Sequence, residues 1–264
     1  MTGPPPLFSI AFEGCACRAA FHVGAMEWFA DENLFPAAVA GASSGALIAA
    51  AVATDRIHEL RAVWADLYGT RVCSAQRLLR GRWPCRMSEI VGGVTARYFG
   101  ARPLADTSIP LSIVVTQWRG AGFERRTLTA TDDVTIERAV LASCFFPGPY
   151  SRHVPIERRL TVDGAWLGRV PVVEAARLRH DYGGHANRVI ACVGDDEGRL
   201  LRGALRPRPM EIPASVDYRV LAPVEPLPLG AFDFDGDRTQ RTMAIGRASA
   251  ERFARAHRQW LYGS

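Results

Sequence analysis

Ala37-Ala-Val-Ala-Gly41-Ala-Ser43-Ser-Gly45-Ala-Leu-Ile-Ala-Ala-Ala-Val-Ala-Thr54 is the stretch that decides the fold. Ala37 to Ala40 is a short apolar run that reads as a buried strand, and Ser44 to Thr54 reads as the helix that follows it. Between them Gly41 to Gly45 fits G-x-S-x-G, the pattern of a sharp strand-to-helix turn that holds a serine hydroxyl in a strained, exposed position. A side chain at Gly41 or Gly45 would crowd the approach of helix to strand. The register selects Ser43 as the candidate nucleophile, because a nucleophile at Ser44 would be flanked by Ala42 and Ala46 instead of glycines.

Working outward, the chain alternates strands and helices. Leu7 to Phe12 is expected as a buried strand, and Arg18 to Leu34 as a largely apolar helix. Leu111 to Gln117, Arg126 to Ala130, Arg159 to Val162 and Val189 to Val193 are further strands, and Thr135 to Ser143 is a helix. This order predicts an α/β fold with a mostly parallel sheet flanked by helices and functional groups at the carboxyl ends of its strands. A final amphipathic helix is expected over Arg238 to Tyr262. Residues 1–264 read as a single domain with an irregular stretch, a candidate lid or insertion, at about 68–110. Within it, Arg77 to Trp83 mixes basic and apolar residues. Two readings stay open there: a segment suited to a lipid-water boundary, or a solvated helix with a buried aromatic. Arg199 to Met210 reads as a long surface loop.

Composition excludes several chemistries. The 264 residues contain 32 cationic side chains, all arginine, so neither a Walker-type lysine nor a Schiff base is available. The net charge of +5 suits anionic surfaces such as lipid headgroups, and no aromatic-basic RNA motif points to nucleic acid. Met1 to Pro6 lacks the features of a signal peptide, which suggests a cytoplasmic protein. The six cysteines have no C-x-x-C spacing, which argues against zinc and for small buried or free thiols in a reducing compartment. Asp233 to Asp237 superficially suggests a calcium loop, but Arg238 and Ala244 stand where the glycine and the bidentate glutamate are required.

A serine needs a base. A histidine triad would draw on His153, His180, His185 or His257, none of which sits in a recognisable motif, while His22 and His58 read as structural. A carboxylate acting directly is the other option. Asp163-Gly164-Ala165 follows the short strand ending at Val162, placing Asp163 at a strand's carboxyl end, with Gly164 permitting the turn. Asp195-Asp196, after the Val189 strand, is a reserve candidate.

Four segments in order resemble the patatin-like phospholipases. Phe12-Glu13-Gly14-Cys15-Ala16-Cys17-Arg18-Ala19 is similar to the family's G-G-G-x-[KR]-G loop, Gly41 to Gly45 to its elbow, Ala142-Ser143-Cys144-Phe145-Phe146-Pro147 to its A-S-x-x-x-P segment, and Asp163-Gly164-Ala165 to its D-G-[GA] motif. The resemblance implies a three-layer α/β/α sandwich and a Ser43–Asp163 dyad that cleaves lipid esters through an acyl-enzyme, without metal or cofactor. It also implies an oxyanion hole at Gly14, Cys15, Ala16 and Cys17, with Arg18, Gly41, Gly45 and Gly164 in support. Cys15, Ala16 and Ala19 depart from the glycine pattern. Two alternatives to the hydrolase follow: an acyltransferase using the same dyad, or a lipid-binding module with a degenerate oxyanion loop. Phe145, Phe146 and Trp166 are candidates for an acyl pocket, and peripheral contact with an anionic membrane is expected.

Overall fold

The computed structural model describes residues 8–180, 184–185, 188–203 and 207–262. Leu7, the proline-rich start and part of the Arg199 to Met210 segment lie outside these. The elements run β1 (Ser9–Phe12), a 3-10 turn (Ala16–Ala19), α1 (Ala20–Asp31), β2 (Ala38–Ala42), α2 (Ser44–Ala53), α3 (Leu60–Ala65), α4 (Ala75–Leu79) and α5 (Met87–Tyr98). They continue with β3 (Leu111–Arg119), β4 (Gly122–Leu128), α6 (Ile136–Cys144), β5 (Thr161–Val162), α7 (Val172–Arg177), β6 (Arg179–His180), β7 (Gly184–His185) and β8 (Arg188–Cys192). The last are β9 (Leu201–Arg202), β10 (Arg208–Pro209), β11 (Asp217–Leu221), α8 (Gly236–Ala256) and α9 (Arg258–Tyr262).

The main sheet has the order β11-β8-β1-β2-β3-β4, with β5 also on β3. Its centre is parallel, and β4 and β5 run antiparallel to β3. β1 and β2 are buried along their whole length, as strands covered on both faces must be. The pleat sends alternate residues to two cores. Ile10, Phe12, Val39 and Ile190 join the cluster under α1, α2, α6 and α8, while Ala11, Ala40, Val189 and Ala191 join the one under α7. The expected three-layer arrangement is therefore present. On the outside of the thicker layer α1 and α8 touch backbone to backbone, since a Cβ on Gly24 would lie 1.8 Å from the Met243 carbonyl oxygen.

Several expectations need correcting. The supposedly irregular stretch contains α5, whose Met87, Ile90 and Thr95 are buried. Gly92 and Gly93 lower its helix propensity and hid it, and packing overrides them. The Arg199 to Met210 segment is not simply a loop, because β9 and β10 pair within it. The last helix breaks at His257 into α8 and α9, and the strand expected from Arg126 begins at Gly122. The discarded calcium-like loop is a helix cap in which the Asp235 carboxylate accepts the Arg238 amide at 2.9 Å. The cysteine reading also fails for one pair: Cys73 and Cys85 form a disulfide. An antiparallel bridge between the two residues closes a hairpin that spacing alone could not reveal. Cys15, Cys17, Cys144 and Cys192 are free and buried.

Candidate active site

Ser43 occupies the turn between β2 and α2 with φ +53°, a conformation that non-glycine residues adopt only at a cost of about 1–3 kcal/mol. Its surroundings enforce it. A Cβ on Gly41 would meet the Gly45 carbonyl oxygen at 2.3 Å, and one on Gly45 would meet the Phe12 carbonyl oxygen at the same distance. The Ser43 amide donates to Ser143 Oγ at 2.8 Å, and that hydroxyl donates to the Val114 carbonyl at 2.6 Å. Ser143 thus clamps the elbow to β3 through both capacities of one hydroxyl.

Asp163 reaches the same point by a different route from that expected. β5 is antiparallel, returning along the part of β3 that extends past β2, so Asp163 arrives beside the carboxyl end of β2 and not at the end of a parallel strand. The A-S-C-F segment holds it there, with the Asp163 amide donating to the Phe145 carbonyl and the Gly164 amide to the Ser143 carbonyl. A Cβ on Gly164 would lie 2.0 Å from the Val114 carbonyl oxygen, so only glycine fits.

Ser43 Oγ donates to Asp163 Oδ2 at 2.6 Å, and the Ala165 amide donates to Oδ1 at 2.8 Å. Asp163 is only 5% exposed. Burial raises its pKa from 3.8 to about 6, with the hydrogen bonds from Ser43 and Ala165 pulling the other way. A carboxyl so placed is ionised at neutral pH and more basic than an ordinary aspartate.

Both residues line a cavity of about 270 Å³. Its wall is largely apolar, with Val91 from α5, Phe146, Tyr150 and Phe232, and two cations, Arg18 and Arg169, stand at its edge. Of the three aromatics considered for an acyl pocket, Phe146 lines this cavity. Phe145 instead packs against Tyr150 and His153, and Trp166 against Phe123 and Phe146, so neither lines the cavity.

The glycine-poor loop abuts Ser43, for a Cβ on Gly14 would fall 2.8 Å from Ser43 Cβ. Its four amides are not equivalent. Gly14 N–H donates to the Arg169 carbonyl, Cys15 N–H to Ser44 Oγ and Cys17 N–H to the Ala231 carbonyl. Only the Ala16 amide has no acceptor among the described residues, and Ala16 sits at φ +54°. Of the four amides expected as oxyanion donors, three are already engaged, by long-range carbonyls and a neighbouring hydroxyl. Glu13, not anticipated from sequence, is buried beneath this loop and accepts the Gly194 amide at 2.5 Å. Burial raises its pKa, against the hydrogen bond from Gly194 and the nearby charges of Arg169 and Arg18.

The alternative bases lie elsewhere. His22 is buried, with Nδ1 3.1 Å from Cys192 Sγ and Nε2 3.2 Å from the Glu13 carbonyl, and burial lowers its pKa to about 4. His153 Nε2 accepts the Thr161 amide. No histidine among the described side chains lines the cavity, and those of His180 and His185 lie outside them. Asp195 is engaged by Arg199 and the Glu197 amide and does not line the cavity either.

The sequence profile described as Patatin-like phospholipase matches residues 10–176. The chain belongs to the patatin-like phospholipase family. This patatin-like chain is also similar to two solved structures. VipD from Legionella pneumophila superposes with a TM-score of 0.53 at 12% identity, covering 97% of this chain and 68% of that one. The heterodimeric ExoU–SpcU complex from the type III secretion system of Pseudomonas aeruginosa gives 0.48 at 16% identity, covering 96% of this chain and 52% of that one. No curated protein sequence matches the chain.

Proposed function

We propose that this patatin-like protein is a serine-dependent lipid acyl hydrolase, of the phospholipase A, lysophospholipase or acylglycerol lipase type. The observation that carries the reading is the 2.6 Å hydrogen bond from the Ser43 hydroxyl to a buried, basic carboxylate in the wall of an apolar cavity. Asp163 takes the Ser43 proton as Oγ bonds to the ester carbon, leaving a negative oxygen for the Ala16 amide to stabilise. When the intermediate collapses, the carbon–oxygen bond to the alcohol breaks and Asp163 returns the proton to the departing oxygen. Water then gives a proton to Asp163 and attacks the acyl-enzyme, and its collapse releases the fatty acid and restores the Ser43 hydroxyl.

Val91, Phe146, Tyr150 and Phe232 offer the acyl chain an apolar lining. Arg18, whose Nε is buried without a partner among the described residues, and Arg169 would receive an anionic headgroup. Residues 1–264 act in this proposal as one catalytic domain, with 68–110 as an insertion that supplies α5 to the cavity. Among the described residues no helix is long and apolar enough to cross a membrane, and the +5 charge supports peripheral attraction to anionic lipid.

The commitment of three loop amides to protein acceptors favours a second reading, a lipid-binding module with little catalysis. Labelling by a fluorophosphonate separates the two. The hydrolase requires the wild type to be labelled and Ser43→Ala to be silent; a folded wild type that resists the probe supports the module.

A further inference from the structure

The hairpin closed by Cys73–Cys85 carries large apolar side chains that the core does not bury. α4, Ala75–Leu79, buries none of its residues. Leu78 is 64% exposed, Leu79 87% and Trp83 49%. Large apolar groups grouped on one short excursion and facing water mark an interaction surface. The hairpin's own charges are of one sign. No acidic residue lies between Asp66 and Glu89, while Arg77, Arg80, Arg82 and Arg86 do. Glu89 pairs with Arg77 and Arg86, so Arg80 and Arg82 have no carboxylate partner among the described residues. Of the expected solvated helix with a buried aromatic, the helix is solvated, while Trp83 is half-exposed and not buried.

The hairpin is braced by internal bonds and is tied to a segment that lines the cavity. Ser74 N–H donates to the Pro84 carbonyl, and Arg77 Nε to the Trp83 carbonyl, within the covalent loop. Trp83 Nε1 donates to the Gly148 carbonyl at 2.7 Å, and Ser88 Oγ accepts the Ser151 and Arg152 amides. The first bond fixes the hairpin, and the other two the start of α5 just after it, to the 146–152 segment, which gives Phe146 and Tyr150 to the cavity. On its other flank, Phe232 is half-exposed and borders both the catalytic cavity and a surface hollow lined by Val72 and Cys73. Phe232 is the exposed apolar side chain between the hairpin base and the cavity mouth, in a hollow also lined by polar and charged groups such as Arg71, Asp233, Asp235 and Arg238.

We propose that the 73–85 hairpin is the docking element by which this protein settles on an anionic phospholipid bilayer, Leu78, Leu79 and Trp83 entering the interface while Arg80 and Arg82 meet the headgroups. Arginines flanking apolar and aromatic tips match the two properties of such a surface, a negative outer plane and an apolar interior. The disulfide removes much of the ordering cost that a flexible loop would incur on insertion. Docking there would bring the cavity mouth to the bilayer, which deepens the lipid-substrate reading of the same site and rests on it for its purpose.

The test is flotation of the full chain with vesicles of neutral phosphatidylcholine or of phosphatidylcholine with phosphatidylglycerol. The pairs Leu78→Ser/Leu79→Ser and Arg80→Glu/Arg82→Glu are compared with the wild type, and each protein is also assayed on a soluble monomeric ester. The wild type should partition to the anionic vesicles. The apolar pair should lose about a hundredfold or more in partitioning, and the charge pair more than roughly 25-fold, since each arginine lost costs about fivefold and each glutamate gained adds repulsion. Both should keep the wild-type rate on the monomeric ester. Partitioning of either pair equal to wild type overturns the proposal, as does a wild type that ignores anionic vesicles. A lipid-free dimer that the apolar pair dissolves overturns it in favour of a second copy as occupant. Flotation reads binding without catalysis: loss in the two pairs alongside a wild type that cleaves no ester leaves the docking element standing and removes the hydrolase.

Discussion

Replacing Asp163 by asparagine should make the protein more stable while abolishing its activity. The carboxyl's pKa is raised from 3.8 to about 6 because burial strips its ionised form of water. Below pH 3.8 both folded and unfolded chains hold the proton and the group contributes no penalty. Between 3.8 and 6 the folded protein binds the proton more tightly, so stability falls as pH rises, and above 6 the full cost is present. That cost is about 3 kcal/mol at neutral pH. Asparagine has nearly the same shape, its oxygen can still accept the Ala165 amide, and it carries no charge to desolvate. Part of the gain is offset by the weaker bond to Ser43, so about 1–3 kcal/mol should be recovered, a rise of several degrees in Tm. Activity should fall by about a thousandfold or more, since the acceptor of the Ser43 proton is gone. Thermal unfolding from pH 4 to 8, with ester hydrolysis on the same samples, measures both. A variant no more stable than wild type at pH 7, or one that retains activity, would refute the reasoning.

Three further substitutions or treatments probe the surroundings. Ser143→Ala removes the hydroxyl that links the Ser43 amide to the Val114 carbonyl, and should cost about 1–3 kcal/mol of stability and lower kcat more than it changes KM, read by denaturant melts and steady-state kinetics. Ala16→Gly relieves a residue held at φ +54° and should stabilise the loop by up to about 1 kcal/mol, with hydrolysis rising several-fold if the Ala16 amide serves the oxyanion. Reducing Cys73–Cys85, separated by 12 residues, should lower stability by up to about 3 kcal/mol in the chain-entropy view, visible as a lower Tm in reductant that Cys73→Ser/Cys85→Ser reproduces.

How much of this was legible in the sequence follows from the range of the forces involved. The elbow was readable because its pattern is local: Gly41 is dictated by a contact within one strand-turn-helix unit, and Gly45, though its close contact is with the Phe12 carbonyl of β1, is spelled out in the same five residues. Asp163 could be located by its motif, but the antiparallel direction of β5 could not, since it depends on β3 outrunning β2. α5 was concealed by Gly92 and Gly93, whose weak propensity says nothing of the packing that holds the helix. The loop amides were misjudged because their acceptors, the Arg169 and Ala231 carbonyls, come from segments far along the chain. Glu13 gave no periodic or spacing signal at all, and the Cys73–Cys85 pairing exists only once the hairpin is formed.

The dyad itself is tested most directly by the rate at which a fluorophosphonate modifies Ser43, followed by intact mass and peptide mapping across pH 4 to 9. With Asp163 as the proton acceptor, the rate should climb tenfold per pH unit in acid, level off above a midpoint near 6, and nearly vanish in Asp163→Asn. A rate independent of pH through that midpoint, an unchanged rate in the asparagine variant, or an adduct on another residue would contradict it.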